Sequence, residues 1–403
     1  MSTQASLIKF NGSANRGEFA RRWNELWTAS TSRLPIARWE QIELWHSVFA
    51  PNQTLHALII ERDNRWVVGL PLVSKRIKNV LPVWDVPYDD WTGAHELLVA
   101  SDVVSDSTIY DQLITKLREL RRPLCRFAQC SPASEPNNGL IQAFARAGNC
   151  VDVAPRHEVG VIDLIGPNAP QNWEDYQTAW SGNFRRQMRK MARRAEELGG
   201  VELVVHQPNR AEDVAGLLHE GFAIEDRSWK GRDGSSVMRT PGMIEFFTRQ
   251  AELLAANGEL VLLFLKHKGA RIAFEFGWSC RRIYYSPKVG FDESFSHLSP
   301  GQMLRYLWVE RLFTERTHDQ FDFAGPLSEA TEKWATSRYS QVRLMAGANL
   351  IGSGLIRTFN TATRVRDVAK SFSGRLRQYV QSSRNPRAVE IAALKGEQRA
   401  SAP

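Results

Sequence analysis

Apolar residues recur along this chain in short blocks cut apart by polar turns, and two of the blocks share one outline. The segment ALIIERDNRWVVGLPLVS, residues 57–74, reads as a β-hairpin whose apolar runs flank the polar turn Asp63-Asn64-Arg65. The segment LVLLFLKHKGARIAFEFGW, residues 260–278, repeats that outline around Lys268-Gly269. Setting Leu58 on Leu262 places Gly69 on Ala273 and Leu70 on Phe274, an offset of 204 residues. An acidic aromatic stretch follows each hairpin, Pro87-Tyr88-Asp89-Asp90-Trp91 and Phe291-Asp292-Glu293. A helical segment comes next, 106–121 and 300–315, and then a short apolar strand, Leu124–Cys130 and Gln320–Ala324. Four matched elements in one order point to duplication of an α/β unit. The expected fold is therefore α/β (α+β), with two tandem units at 1–160 and 161–350. Each is a mixed, mostly antiparallel twisted sheet flanked by helices, and residues 351–403 follow as a helical tail.

Between the hairpins, residues 172–200 read as a helix, a Ser-Gly-Asn break and a second helix ended by Gly199-Gly200. On the second helix Arg185, Arg186, Arg189, Lys190, Arg193 and Arg194 recur at spacings of three and four. Phe184, Met188, Met191 and Ala195 make its apolar stripe. The basic face is either a solvated flank or a surface for phosphate or another anionic group. In the tail, Leu355, Ile356, Phe359, Ala362, Val365, Val368, Ala369 and Phe372 repeat at helical spacing among arginines. That pattern suits docking on the protein's own domain, or peripheral contact of 353–384 with an anionic membrane surface. Beyond residue 384 the composition is that of a disordered segment.

Composition narrows the classes. The chain has 403 residues, 43% of them apolar, enough for a large buried core. Its net charge is +8, but residues 353–403 hold ten Lys/Arg against three Asp/Glu. The remainder is close to neutral, which argues against a general nucleic-acid binder. No apolar run reaches the roughly 20 residues of a membrane span, and the N-terminus lacks signal-peptide character, so cytoplasmic residence is expected. Cys125, Cys130, Cys150 and Cys280 lack zinc-ligand spacing, so they are read as reduced thiols and no metal is expected. Serine-hydrolase elbow, P-loop and dinucleotide signatures are absent from the sequence.

Candidate chemistry gathers in the second unit. Ser299-Pro300-Gly301-Gln302 opens a helix whose free N–H groups and partial positive charge suit a phosphate-bearing ligand, unless it only starts the helix. The first unit has Ser105-Asp106-Ser107 there, and an aspartate would oppose a phosphate. The second unit is thus expected to bind the ligand and the first to support it. Glu275 alternates with Phe274 and Phe276 on a strand, and Asp322 alternates with Phe321 and Phe323. Each acid is either a structural carboxylate or a general base whose burial would raise its pKa. If Glu275 lies in the main core, Phe274 and Phe276 are not both expected there. Asp292 and Glu293 could hold a cationic or hydroxylated acceptor, and Trp229 and Lys230 could line its side.

These residues resemble a known family. TAWSGNFRRQMRKMARR, then Ser228-Trp229-Lys230, Thr240-Pro241, GARIAFEFGW, VGFDESFSHLSPGQML and FDFAG…EKW resemble GNAT-type acyltransferases of the CelD/BioF2-like group. These are similar to proteins of cellulose and exopolysaccharide synthesis and, more distantly, to the FemAB peptidyltransferases. The resemblance covers about 172–345 well and 10–160 weakly. It implies tandem GNAT folds and acyl transfer from acyl-CoA or acetyl-CoA to an amine or a saccharide hydroxyl. It also implies a tyrosine as proton donor to the thiolate, whichever of Tyr284 and Tyr285 faces the cleft, with Tyr285 taken as the candidate. The sequence departs from the family at the pyrophosphate loop, where His297–Gln302 keeps one glycine, and near Lys333-Trp334, where Glu332 replaces a tyrosine. Arg185 and Arg189 join Lys333 and Trp334 as candidate substrate contacts. Two alternatives stand beside this reading: a FemAB-like transferase using aminoacyl-tRNA, and a silent GNAT scaffold of a membrane polysaccharide synthase complex.

Overall fold

The structure is a computed structural model that describes residues 3–10, 16–77, 80–120 and 122–358. The tail beyond residue 358 lies outside the described residues. The first half runs β1 (Thr3–Phe10), α1 (Arg16–Ala29), α2 (Trp39–Phe49), β2 (Leu55–Arg62), β3 (Arg65–Ile77) and β4 (Leu81–Asp85). It continues through three two-residue strands, β5 (Tyr88–Asp89), β6 (Gly93–Ala94) and β7 (Leu98–Val99), to α3 (Ser107–Glu119), β8 (Leu124–Cys130) and α4 (Glu135–Arg146). β9 (Val151–Asp163) ends the first copy's stretch of sequence, and the second half runs α5 (Trp173–Thr178), α6 (Gly182–Glu197), β10 (Glu202–His206), α7 (Val214–Asp226), α8 (Trp229–Arg232) and α9 (Met243–Ala256). β11 (Leu260–His267), β12 (Ala270–Cys280), β13 (Ile283–Phe291), α10 (Pro300–Glu315), β14 (Gln320–Pro326), α11 (Glu329–Glu332) and β15 (Ser337–Gly347) complete it.

All the long strands join one mixed sheet, in the order β1-β2-β3-β4-β8-β15-β9-β14-β13-β12-β11-β10. The order is the same read from either edge: a meander of four strands, a parallel fifth, then a long sixth. The two hairpins sit where their apolar runs place them, and both turn through left-handed pairs, Asp63-Asn64 and Lys268-Gly269. The sixth strands are exchanged. β9 follows the first half in sequence but pairs with β14 of the second, whereas β15 follows the second half and pairs with β8 of the first. β9 and β15 pair with each other antiparallel along most of their length and so join the halves. Residue 160, the expected boundary between the units, lies inside β9.

Helices cover both faces over β2, β3, β11 and β12, which is why those strands are apolar and buried along most of their length. One core runs from α1 to α4 across to α7 and α9. The other lies between the sheet and α5, α6 and α10. Phe274 and Phe276 enter the first core, while Glu275 and Tyr284 face the second. All three residues of Phe274-Glu275-Phe276 are thereby buried, with Glu275 on the opposite face from the two phenylalanines, as their alternation implies. A strand sandwiched by helices buries its polar side as well as its apolar one.

Candidate active site

In each half one parallel strand pair opens like a fork. β4 and β8 pair over Val83–Asp85 and Leu124–Arg126; β13 and β14 pair over Ile283–Tyr285 and Gln320–Asp322. Asp85 and Arg126 close the first fork. Arg126 donates from Nε and Nη2 to the fully buried Asp85 carboxylate at 3.0 and 2.6 Å. The second fork has Tyr285 and Asp322 at the equivalent register and holds no ion pair.

Beyond Tyr285 the strands are bent away from one another. Two steps of β12, Phe276 to Trp278, oppose three of β13, Tyr285 to Lys288, so β13 bulges at Ser286-Pro287. On β14 the four steps from Asp322 to Pro326 oppose two of β9, and Ala324 takes a left-handed φ of 52°. The space opened is a cleft of about 530 Å³ between the halves. Tyr285, Lys288, Asp322 and Tyr339 line one wall; Asp89, Trp91, His95 and Glu96 line the other.

The polar groups of this cleft are perturbed in ways that bear on proton transfer. Burial pushes the Asp322 carboxyl up to about 6, although the Ala324 N–H donates to it at 2.7 Å and the Tyr339 hydroxyl at 3.0 Å. Tyr285 and Tyr339 are held well above the ordinary phenol value by burial and the adjacent Asp322, so both keep their protons. Tyr285 donates to the Arg33 carbonyl at 3.3 Å. Burial lowers Lys288 to about 8 and His95 to about 4. Glu96, hydrogen-bonded by Ser32, is raised mainly by burial, as is Asp89.

Of the residues singled out in the sequence, Asp322 and Tyr285 meet in this cleft. Glu275 does not line it. Its carboxylate accepts the Tyr284 hydroxyl at 2.6 Å under α10, and burial raises its pKa. Pro300 is the first residue of α10, after Ser299 in a left-handed conformation. Ser299, Pro300, Gly301 and Gln302 do not line the cleft, and Gln302 accepts the Trp334 indole N–H at 2.9 Å. Trp334 is buried under α5 and α6, whereas Lys333 is exposed. Lys230 donates to Glu225 and to the Val289 carbonyl at 2.7 and 2.9 Å, which anchors α8 on β13. Asp292 takes the Arg227 guanidinium and caps a short turn through Ser294; burial would raise it, but these contacts outweigh that and lower it. Glu293 pairs with Arg232, Trp229 is exposed, and Arg185 donates to the Thr178 and Trp180 carbonyls at the end of α5. Arg189 stays on the exposed face of α6.

The sequence reading missed Lys288, Tyr339 and the wall around His95 and Glu96. One signal was present for Lys288: Pro287 inside an otherwise regular strand marks a bulge. Tyr339 and the far wall depend on the strand exchange, which no local pattern carries.

Comparison with known proteins agrees with this geometry. Residues 182–334 match the family described as an acetyltransferase (GNAT) domain. No curated protein matches the chain. FemX superposes with a TM-score of 0.53 at 10% identity, over 83% of this chain and 96% of that one. A conserved protein of unknown function from Bacteroides thetaiotaomicron VPI-5482 superposes with a TM-score of 0.51 at 10% identity, over 84% of this chain and 99% of that one. The chain thus has the fold of FemX along most of its length, and residues 182–334 of its second half are similar to the acetyltransferase (GNAT) domain family.

Proposed function

We propose that the chain is an N- or O-acyltransferase that moves an acyl group from acyl-CoA to an amine or sugar hydroxyl held in the cleft. The observation that carries this reading is the second fork, whose two end residues, Asp322 and Tyr285, both face the cleft. With an ordinary carboxylate-to-amine division of labour, Asp322 takes the proton of the acceptor directly or through water. The freed lone pair attacks the thioester carbonyl. As the tetrahedral intermediate collapses, the C–S bond breaks and the Tyr285 hydroxyl is the donor that meets the departing sulfur. The first fork is tied by Asp85 and Arg126, so we assign the donor to the second half and its phosphates to the free N–H groups at the Ser299–Gln302 helix start. We place the acceptor in envelope or exopolysaccharide metabolism, cellulose synthesis included, on the resemblance of the second half.

Thermal shift with CoA, acetyl-CoA and longer acyl-CoAs tests the donor. A species at 100 times its Kd adds about 2.7 kcal/mol to stability. If none of them moves the melting temperature, the acyl-CoA reading fails. A second donor, aminoacyl-tRNA, is favoured by one observation: Arg186, Arg189, Lys190, Arg193 and Arg194 stand exposed on α6. Its signature is binding of charged tRNA that weakens steeply with salt. A non-catalytic scaffold would bind neither donor. Peripheral membrane contact through 353–384 falls almost wholly outside the described residues; among those described, no helix is long and apolar enough to cross a membrane.

A further inference from the structure

Lys288 lines the cleft from β13, the strand that carries Tyr285, and the way it is held is unusual. It follows the β13 bulge, so its side chain points to the same side as Tyr285, toward the first half. Its ammonium lies 4.4 Å from the Trp91 ring centre and 5.4 Å from that of Phe247. Among the described residues it makes no hydrogen bond, and the acids around it are engaged elsewhere. Glu225 is taken by Lys230 and by the Val237 N–H, at 2.7 and 3.1 Å. Asp89 is taken by the N–H groups of Trp91 and Thr92 and by the Thr92 hydroxyl, at 2.6 to 2.9 Å. Lys230 adds a like charge nearby, which, after burial, further lowers the affinity of Lys288 for its proton. An ammonium left in a half-dry aromatic niche without an oxygen partner is poorly satisfied. An oxyanion entering from the cleft would supply that partner.

We propose that Lys288 is an acceptor-binding residue that ligates an oxyanion of the substrate, a phosphate or carboxylate set back from the nucleophile. This rests on reading the cleft as the acceptor site. Three steps lead from Tyr285 to Lys288, but the bulge shortens them to the span of the two β12 steps opposite, roughly 7 Å at about 3.3 Å per residue. The acceptor would therefore present its amine or hydroxyl at the fork and its anionic group roughly 7 Å away, against the Trp91 face. A small neutral acceptor would leave the ammonium unpaired, so the site selects for acidic acceptors.

The test needs no substrate. The full chain is trace-labelled with acetic anhydride across a pH series, and Lys288 is compared with the exposed Lys268 by peptide mass spectrometry, in phosphate, in acetate and in chloride of equal ionic strength. Phosphate or acetate should slow acetylation of Lys288 several-fold relative to Lys268 and move its titration midpoint upward by about one pH unit. Phosphate should also raise the melting temperature of the wild type but not of Lys288→Met. Protection by phosphate alone assigns a phosphate acceptor, and protection by both allows a carboxylate. If neither anion protects Lys288, or if Lys288→Met gains as much stability from phosphate as the wild type, the proposal is overturned. Failure of CoA to bind would sink the donor reading while leaving the anion site standing, so the two outcomes are separable.

Discussion

At the second fork Asp322 is held by burial and Gly277 by close packing. Asp322 has a folded pKa of about 6, above its ordinary value of 3.8, because burial disfavours the carboxylate. The folded state therefore binds this proton more tightly than the unfolded state. The stabilisation is fully present below pH 4 or so and is lost as pH rises through about 6, a change of about 3 kcal/mol. Asp322→Asn should flatten that part of the stability curve, read from denaturant midpoints between pH 4 and pH 8. The same variant should lower kcat/KM at least ~100-fold and abolish the rise in rate through pH ~6. An unchanged pH–rate profile would exclude Asp322 as the base. Gly277 lies opposite the β13 bulge, and a Cβ there would sit 2.3 Å from the Tyr284 hydroxyl and 2.9 Å from the Tyr285 carbonyl. Gly277→Ala should cost about 1–3 kcal/mol by pushing Tyr284 off Glu275, seen as a lower melting temperature. At this scale the sequence was half informative. Alternation on a strand shows that Asp322 and Glu275 oppose their aromatic neighbours, but not which face of a two-sided sheet opens to a cleft and which is roofed by α10.

Elements were more legible than residues. The matched hairpins, the break before α6 and the start of α10 at Pro300 follow from turn chemistry and helical periodicity. What the elements do to each other was less visible. The turn joining β12 to β13 places Arg281 and Arg282 at φ values of 47° and 62°, a left-handed pair that costs roughly 1–2 kcal/mol per non-glycine residue. The strain has a counterpart in contacts. Arg281 donates to the carbonyls of Trp27, Thr28, Ser30 and Ser32 at 2.7 to 2.9 Å and stacks on Trp27. Carbonyls at a helix end have acceptor capacity to spare, and one guanidinium reaches several of them at once. Arg38, over the other side of Trp27, donates to Glu259 at 2.5 and 2.7 Å. These contacts fix α1 against the second half beside the cleft. Arg281→Ala should destabilise the protein by about 2–4 kcal/mol, measured by urea denaturation. It should also raise hydrogen exchange at 27–36 more than at β9. Uniform exchange across the sheet would show that Arg281 does not hold this contact.

At the scale of the whole molecule the repeat was readable and the exchange of strands was not, because an offset in sequence says nothing about which copy a strand joins. The prediction at this scale concerns separability. Residues 1–147 would lack the strand that borders β8, and residues 148–358 would carry β15 with nothing to pair on its other edge. Each piece made alone should expose long unpaired strand edges and aggregate. Coexpressed, they should assemble into one folded complex that elutes with the intact protein; two monodisperse single fragments would contradict this.

The exchange has a further consequence for how this cleft can change. Tyr339, which holds Asp322, stands on β15, and Arg156 and His157, on the facing side, stand on β9. Each wall thus borrows a strand from the other copy's stretch of sequence. After duplication the two copies could drift apart in their own helices and loops, but not in those two strands, where a substitution in one copy alters the cleft wall built on the other. The pair therefore diverges under mutual constraint, as the subunits of a heterodimer do, although a single chain encodes both.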